Sequence, residues 1–161
     1  MPRRFFHDFV EAAVQDWRER RNSKVRAINA ITQTDVMAER MFNYLQAHSP
    51  AALGTAKRCA DYRSDLRTRW HSLGIVWDAH DTHKHGLLTS HKSVRLITRG
   101  QDPKLVVRRG AFGTSAFGTR AFGAGEVEIC LQLDDGTTLP INNILTDALK
   151  AWEAELKAVG L

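Results

Sequence analysis

Apolar residues recur every three or four positions through the first half of the chain and every second position later, a change of period that separates helices from strands. Phe6, Phe9, Ala13 and Trp17, with Phe5 and Val10 beside them, predict an amphipathic helix over about residues 4–20. Its basic finish, Arg18-Glu-Arg-Arg21, suits the negative pole of a helix. Asn22-Ser23 then offers a break and an N-cap for a second helix, from about Lys24 to Ala47, built on Ile28, Ile31, Met37, Met41 and Leu45. The polar centre of that helix, Thr32-Gln-Thr-Asp35, is a candidate break. Ser49-Pro50 resembles a further helix start that Gly54 soon interrupts. Ala56, Cys59, Tyr62, Leu66, Trp70 and Leu73 form one stripe and predict a third helix punctuated at Gly74. Ile75, Val76 and Ala79 continue it or begin a short fourth helix, which Gly86 stops.

Beyond Leu88, Val94, Leu96 and Thr98 alternate with Arg95, Ile97 and Arg99, and Leu105-Val-Val107 follows a turn at Gly100 to Pro103. Val127, Ile129, Leu131 and Leu133 alternate with Glu128, Cys130 and Gln132, which predicts a strand with one buried and one wetter face. Asp135-Gly136 is a hairpin signal, with Thr137 to Ile141 as the returning strand. A last helix, capped near Asn142 or Asn143, carries Leu145, Leu149, Trp152, Leu156 and Val159. The order is α+β: an N-terminal bundle of three to four helices, a small antiparallel sheet and one C-terminal helix. At 161 residues the expectation is a single domain, helical over 1–86 and completed by sheet and closing helix over 87–161.

Composition narrows the class without naming a function. With 43% hydrophobic and 25% charged residues the chain is of average globular make-up. No run of eighteen apolar residues and no charged start leading into an apolar stretch is present, so no membrane association is expected and a cytoplasmic location is. Cys59 and Cys130 lie far apart without paired spacing and are expected to stay reduced. The net charge of +5 is uneven: residues 1–120 hold 21 of the 23 Lys and Arg against 11 of the 18 acids, a balance of +10, and residues 121–161 are at −5. Clustered basic residues draw polyanions, and Arg18, Arg20, Arg21, Lys24 and Arg26 could track a phosphate backbone. The alternative is internal neutralisation, with the acidic C-terminal part laid against a basic helix.

Residues 111–125 repeat Ala-Phe-Gly three times at a period of five. Three copies are too short for a stacked coil, and no Gly-Lys-Ser/Thr ending makes the segment a phosphate loop. Phe112, Phe117 and Phe122 either fold back over the sheet or a helix, or form a docking or self-association surface.

Four of the seven histidines fall within His80 to His91, beside Asp78, Asp81 and Lys84. On a helix, at 100° per residue, Asp81 and His85 stand one turn apart while His83 and His85 diverge by 200°. That divergence argues against a shared metal, and neither a metal site nor a cofactor is expected. The chemical reading makes His85 a proton carrier oriented by Asp81, with Lys84 as an anion anchor. The structural reading is an ordinary basic helix C-terminus ended by Gly86, with His83 on the apolar face as a core histidine.

The helices ending in Asp81-Thr-His-Lys-His85, the Ala-Phe-rich segment, Leu133-Asp-Asp-Gly136 and the closing helix with Trp152 resemble a family of small uncharacterised bacterial proteins. The helical half is also similar to HEPN domains, helical bundles that often act as ribonucleases. Their usual motif, Arg, four to six residues, then His, is absent: Arg67 to His71 has three intervening residues and Arg63 to His71 has seven. Two functions therefore remain open at this stage. One is binding of nucleic acid or another phosphate-bearing ligand, extending to metal-independent cleavage. The other is a non-enzymatic module that self-associates or docks a protein partner through the Phe-Gly repeat.

Overall fold

The computed structural model describes residues 1–86, 95–99, 104–108 and 126–161; for 104–108 and 126–127 only the backbone is described. The Phe-Gly repeat, with Phe112, Phe117 and Phe122, and His91 and Val94 lie outside the described residues. The architecture is α+β. Helices α1 (Pro2–Phe5), α2 (Ala12–Glu19), α3 (Lys24–His48), α4 (Cys59–Arg69) and α5 (His71–His85) precede strands β1 (Lys104–Arg108), β2 (Glu126–Gln132) and β3 (Thr138–Pro140). Helix α6 (Ile141–Ala158) returns to pack on α3 and α5.

Helices α1 and α2 are joined without a break through a π-helical stretch, Phe6–Glu11. Its wider turn shifts the inward stripe to Phe6, Val10, Val14 and Trp17, all buried. Phe9, expected in that stripe, is rotated outward, 52% exposed, and stacks on Phe5 with ring centroids 5.0 Å apart.

Ser23 caps α3, its side chain accepting from the Arg26 amide. The polar centre of α3 is not a break. The helix runs straight through it because Thr34 and Asp35 are buried and partnered: Thr34 Oγ1 donates to the Ala30 carbonyl at 2.7 Å, and the Trp152 indole donates to the Thr34 carbonyl at 3.1 Å. The third helix ends at Arg69, not at Gly74. Trp70 is extended (φ −133°, ψ 97°) and opens α5, which carries Gly74 in its interior. A Cβ on Gly74 would lie 2.9 Å from Arg67 Cγ, so the missing side chain is what lets Arg67 of α4 cross α5 closely.

The sheet is antiparallel with order β1-β2-β3, pairing Leu105 with Ile129 and Leu131 with Leu139. Asp135-Gly136 makes the predicted hairpin, with Gly136 at φ +87° and the Leu133 amide donating to the Thr137 carbonyl at 2.8 Å. The alternation over 95–99 does not produce a regular strand; only Arg99 forms a bridge. That segment is held by Asp134 instead, whose amide donates to the Leu96 carbonyl and whose Oδ1 accepts from the Thr98 amide. Helix α6 begins at Ile141, directly after Pro140, earlier than the asparagine caps predict. Ile141 is fully buried, so core packing rather than a cap fixes that start. One apolar core joins all of this, with Trp17, Trp152, Phe6, Met37, Met41 and Leu145 among its most enclosed side chains. No helix among the described residues is long and apolar enough to cross a membrane.

Candidate active site

Helices α3 and α5 lie side by side, and the polar positions that interrupt the α3 stripe meet the histidine-bearing face of α5. Asp35, only 4% exposed, accepts from His80 Nδ1 at 2.7 Å and from Arg63 of α4 at 2.9 Å, both at the same oxygen. With an arginine at its side Asp35 serves as an acceptor, so Nδ1 carries the proton and the ring's orientation is fixed. Nε2 is then the nitrogen left to a ligand. On α3, Ile28, Ile31, Thr32 and Asp35 share one face, and Asp35 is the acid on it that is buried against α5.

His80 also lines a small cleft, partly open to solvent, whose enclosed space of about 20 Å³ has room for about one water molecule. Its walls are Ile28, Ile31 and Thr32 of α3, Ala79, Thr82 and His83 of α5, Ile97, and Cys130, Leu131 and Gln132 of β2. The mix of apolar walls with a few polar groups is the usual make-up of ligand sites, but the enclosed space is far below their roughly 300–1,000 Å³, so a ligand would lie across the cleft's mouth rather than within it. His83, expected to be a core histidine, is exposed at the rim, because the apolar face of α5 is completed by Val76, Ala79 and Thr82. His80 and His83 stand at i and i+3 and both reach the cleft.

Ile28, Ile31 and Thr32 lie against Ala79, His80, Thr82 and His83, and Asp35 and Ala38 against Leu73, Val76 and Trp77, so α3 and α5 run antiparallel. One turn before Ile28 on α3 stands Lys24, and one turn after His80 on α5 stands Lys84, so both lie toward the same end of the helix pair, beyond the residues that line the cleft. Lys24 is half-buried and Lys84 exposed, and among the described residues neither is paired with a carboxylate.

A second network fixes the cleft's outer wall. Asp78, fully buried, accepts from Arg67, from Arg95 at 3.0 Å and from the Leu96 amide at 2.7 Å. Arg95 also reaches Asp81 at 3.0 Å. Burial opposes the Arg95 charge, but the hydrogen bonds and charges of Asp81 and Asp78 outweigh it and hold the guanidinium above its ordinary value. Arg63, Arg67 and Arg95 all lie over the Trp77 ring, at 5.5, 5.0 and 4.9 Å from its centroid. These contacts tie α4, α5 and the 95–99 segment together and seat Ile97 against the cleft.

The residues singled out in the sequence are distributed as follows. Asp81 is drawn to Arg95, and no hydrogen bond links it to His85 among the described residues. His85 is exposed on the last turn, which Gly86 closes at φ +76° with its amide on the Thr82 carbonyl. Arg18 donates to Thr146 of α6 at 2.8 Å and Arg26 pairs with Asp16, so both are committed to holding helices. Arg20 is exposed, and Arg21 is exposed but engaged. Sequence reasoning missed Asp35, Arg63, Trp77 and Arg95. The signal available was an aspartate set one turn after Ile31 and two after Ile28, which, when buried, needs a cation as partner. Among the described residues no group of three or more His, Cys, Asp and Glu gathers where it could hold a metal ion. Cys59 and Cys130 are not joined in a disulfide.

No protein-family model, no curated protein and no solved structure matches the chain.

Proposed function

We propose that the chain is a cytoplasmic bacterial protein that binds nucleic acid, or another phosphate-bearing ligand, across the mouth of the cleft between α3, α5 and β2, and transfers a proton there through His80. The observation that carries this reading is the 2.7 Å bond from His80 Nδ1 to buried Asp35 at the edge of an open cleft. An imidazole oriented by a fixed carboxylate, with its second nitrogen free for a ligand, is the arrangement general acid and base chemistry uses. Lys24 and Lys84, beyond one end of the cleft, supply the positive charge for phosphate, and Arg20 extends it. The excess of basic residues over 1–120 favours the approach of a polyanion. Proton transfer is assigned to His80 rather than His85, because Asp81 is occupied by Arg95.

Fluorescence anisotropy with short single-stranded RNA and DNA at low salt tests this. Wild type should bind, and Lys24→Ala/Lys84→Ala should bind at least about tenfold more weakly. Its slope of log affinity against log salt should be shallower by about 1.4, two phosphate contacts' worth on a single strand. Equal affinity and slope in the two proteins would overturn the assignment of the cleft.

A further inference from the structure

The cleft holds two imidazoles, not one. His80 and His83 are a single turn apart on α5, both line the cleft, and they differ in circumstance: His80 is bound to Asp35 through Nδ1, whereas His83 is exposed and carries no hydrogen bond among the described residues. Resting on the reading above, we infer that the cleft acts on RNA, using the ribose 2′-hydroxyl beside the scissile phosphate as the nucleophile, with His80 and His83 as the base and acid.

The step follows from what two imidazoles can do together. His80 Nε2, the acceptor nitrogen once Nδ1 has donated to Asp35, removes the 2′-hydroxyl proton as the 2′-oxygen forms its bond to phosphorus. The bond from phosphorus to the 5′-oxygen breaks, and His83, entering protonated, donates its proton to that leaving oxygen. The products are a 2′,3′-cyclic phosphate and a 5′-hydroxyl, with one proton taken up and one delivered. A second, slower turn in which water replaces the 5′-hydroxyl resets both histidines. No outside nucleophile is required in the first step, because the substrate brings its own. Lys24 and Lys84, beyond one end of the cleft, would meet the phosphate charge there. A substrate lacking the 2′-hydroxyl would bind through the same phosphates and apolar walls but would not react. DNA is then a ligand and RNA a substrate.

The test uses three oligonucleotides of one sequence: RNA, DNA, and DNA carrying a single ribonucleotide, each with the full chain in the presence of EDTA. Expected are binding of all three, cleavage of RNA, and one cut in the chimera directly 3′ of the ribonucleotide, leaving a cyclic phosphate that mass spectrometry identifies. A 2′-O-methyl group at that position should abolish the cut. His83→Ala, at an exposed site, should lower the rate at least about 100-fold, and so should His80→Gln, which retains a donor toward Asp35; circular dichroism checks that both remain folded. His85→Ala should cleave as wild type does. Binding of all three without cleavage overturns this inference and leaves the binding site standing. Equal cleavage of DNA, or cleavage that EDTA abolishes, also overturns it. Absence of binding to any of the three overturns both it and the reading on which it rests.

Discussion

Replacing Asp78 by Asn tests the network that holds the cleft together. Asp78 has no exposed surface and accepts three hydrogen bonds, from Arg67, Arg95 and the Leu96 amide. Asparagine has nearly the same shape but no charge, and its amide group would point a donor at neighbours that are themselves donors. The Arg67 and Arg95 side chains are only 14% and 12% exposed, so their charges would lose their principal buried counterion; Asp81 alone would remain for Arg95. Removing one partner from a buried pair costs about 3–5 kcal/mol. In a chain of this length that corresponds to a melting temperature lower by roughly 6–20 °C. The comparison is Asp147→Asn, which breaks an ion pair with Lys150 whose side chains are 61% and 69% exposed. There the expected change is within about 0.5 kcal/mol, or about 2 °C. Thermal and urea unfolding followed by circular dichroism measure both variants. An Asp78→Asn protein melting within about 2 °C of wild type would refute the view that this cluster is a structural lock.

Other outcomes follow from the same packing. Gly74→Ala should destabilise the fold, although alanine is better than glycine inside a helix by about 1 kcal/mol, because the new Cβ would meet Arg67 Cγ at 2.9 Å; a melting temperature above wild type would contradict this. The Tyr62 hydroxyl is buried without a hydrogen-bond partner among the described residues, so Tyr62→Phe should leave stability unchanged or raise it by about 1 kcal/mol in urea unfolding, and a clear loss would refute this. Burial, then the Glu155 charge, pushes the Tyr62 phenol above its ordinary value, and burial also raises the Cys59 thiol. Both groups ionise sooner in the unfolded chain, so their contribution is complete below about pH 8.5 and should be lost as pH rises, first through Cys59 and then, above about pH 10, through Tyr62. Unfolding free energies that fail to decline over that range, or a Tyr62→Phe protein that declines as steeply as wild type above about pH 10, would count against this. Cys130 is 1% exposed and Cys59 half-buried, so a thiol reagent at neutral pH should label neither quickly in the folded protein and both on unfolding.

Much of the fold was legible because local signals agreed with the tertiary outcome. Ser23 as N-cap, Gly86 at the end of α5 and the Asp135-Gly136 hairpin all rest on interactions within a few residues, whereas the wetter face expected of β2 fails at Cys130, which the helices bury. The errors came where distant contacts decided. Thr34 and Asp35 look like a helix break in sequence, yet Trp152, 118 positions away, and Arg63 and His80 supply the partners that keep α3 whole. Gly74 looks like punctuation, yet it is a notch for Arg67, and the break falls at Trp70. Arg95-Leu-Ile-Thr-Arg99 alternates as a strand would, but its backbone bonds go to Asp78 and Asp134 rather than along a ladder.

The candidate site divides in the same way. The sequence localised the chemistry to the last two turns of α5, since the concentration of histidines is a local property. It paired them wrongly in one respect: one-turn spacing offers Asp81 to His85, but Arg95, 14 positions on, takes that carboxylate. The oriented histidine is His80, and its partner sits 45 positions earlier on a different helix. No spacing rule reaches across that distance. Helix-face geometry did separate His83 from His85 correctly, and it is His83 that shares the cleft with His80.

The most direct test of the central claim is a long-range proton to nitrogen correlation spectrum of the seven imidazoles, assigned by single His→Gln variants and titrated with a single-stranded RNA oligonucleotide. The free protein should show the neutral His80 ring protonated at Nδ1, the nitrogen bound to Asp35. Added RNA should then shift Nε2 of His80 and the ring of His83 while leaving His7 and His48 unchanged. A His80 ring protonated at Nε2, or an oligonucleotide that moves other histidines and leaves His80 and His83 where they were, would contradict the account.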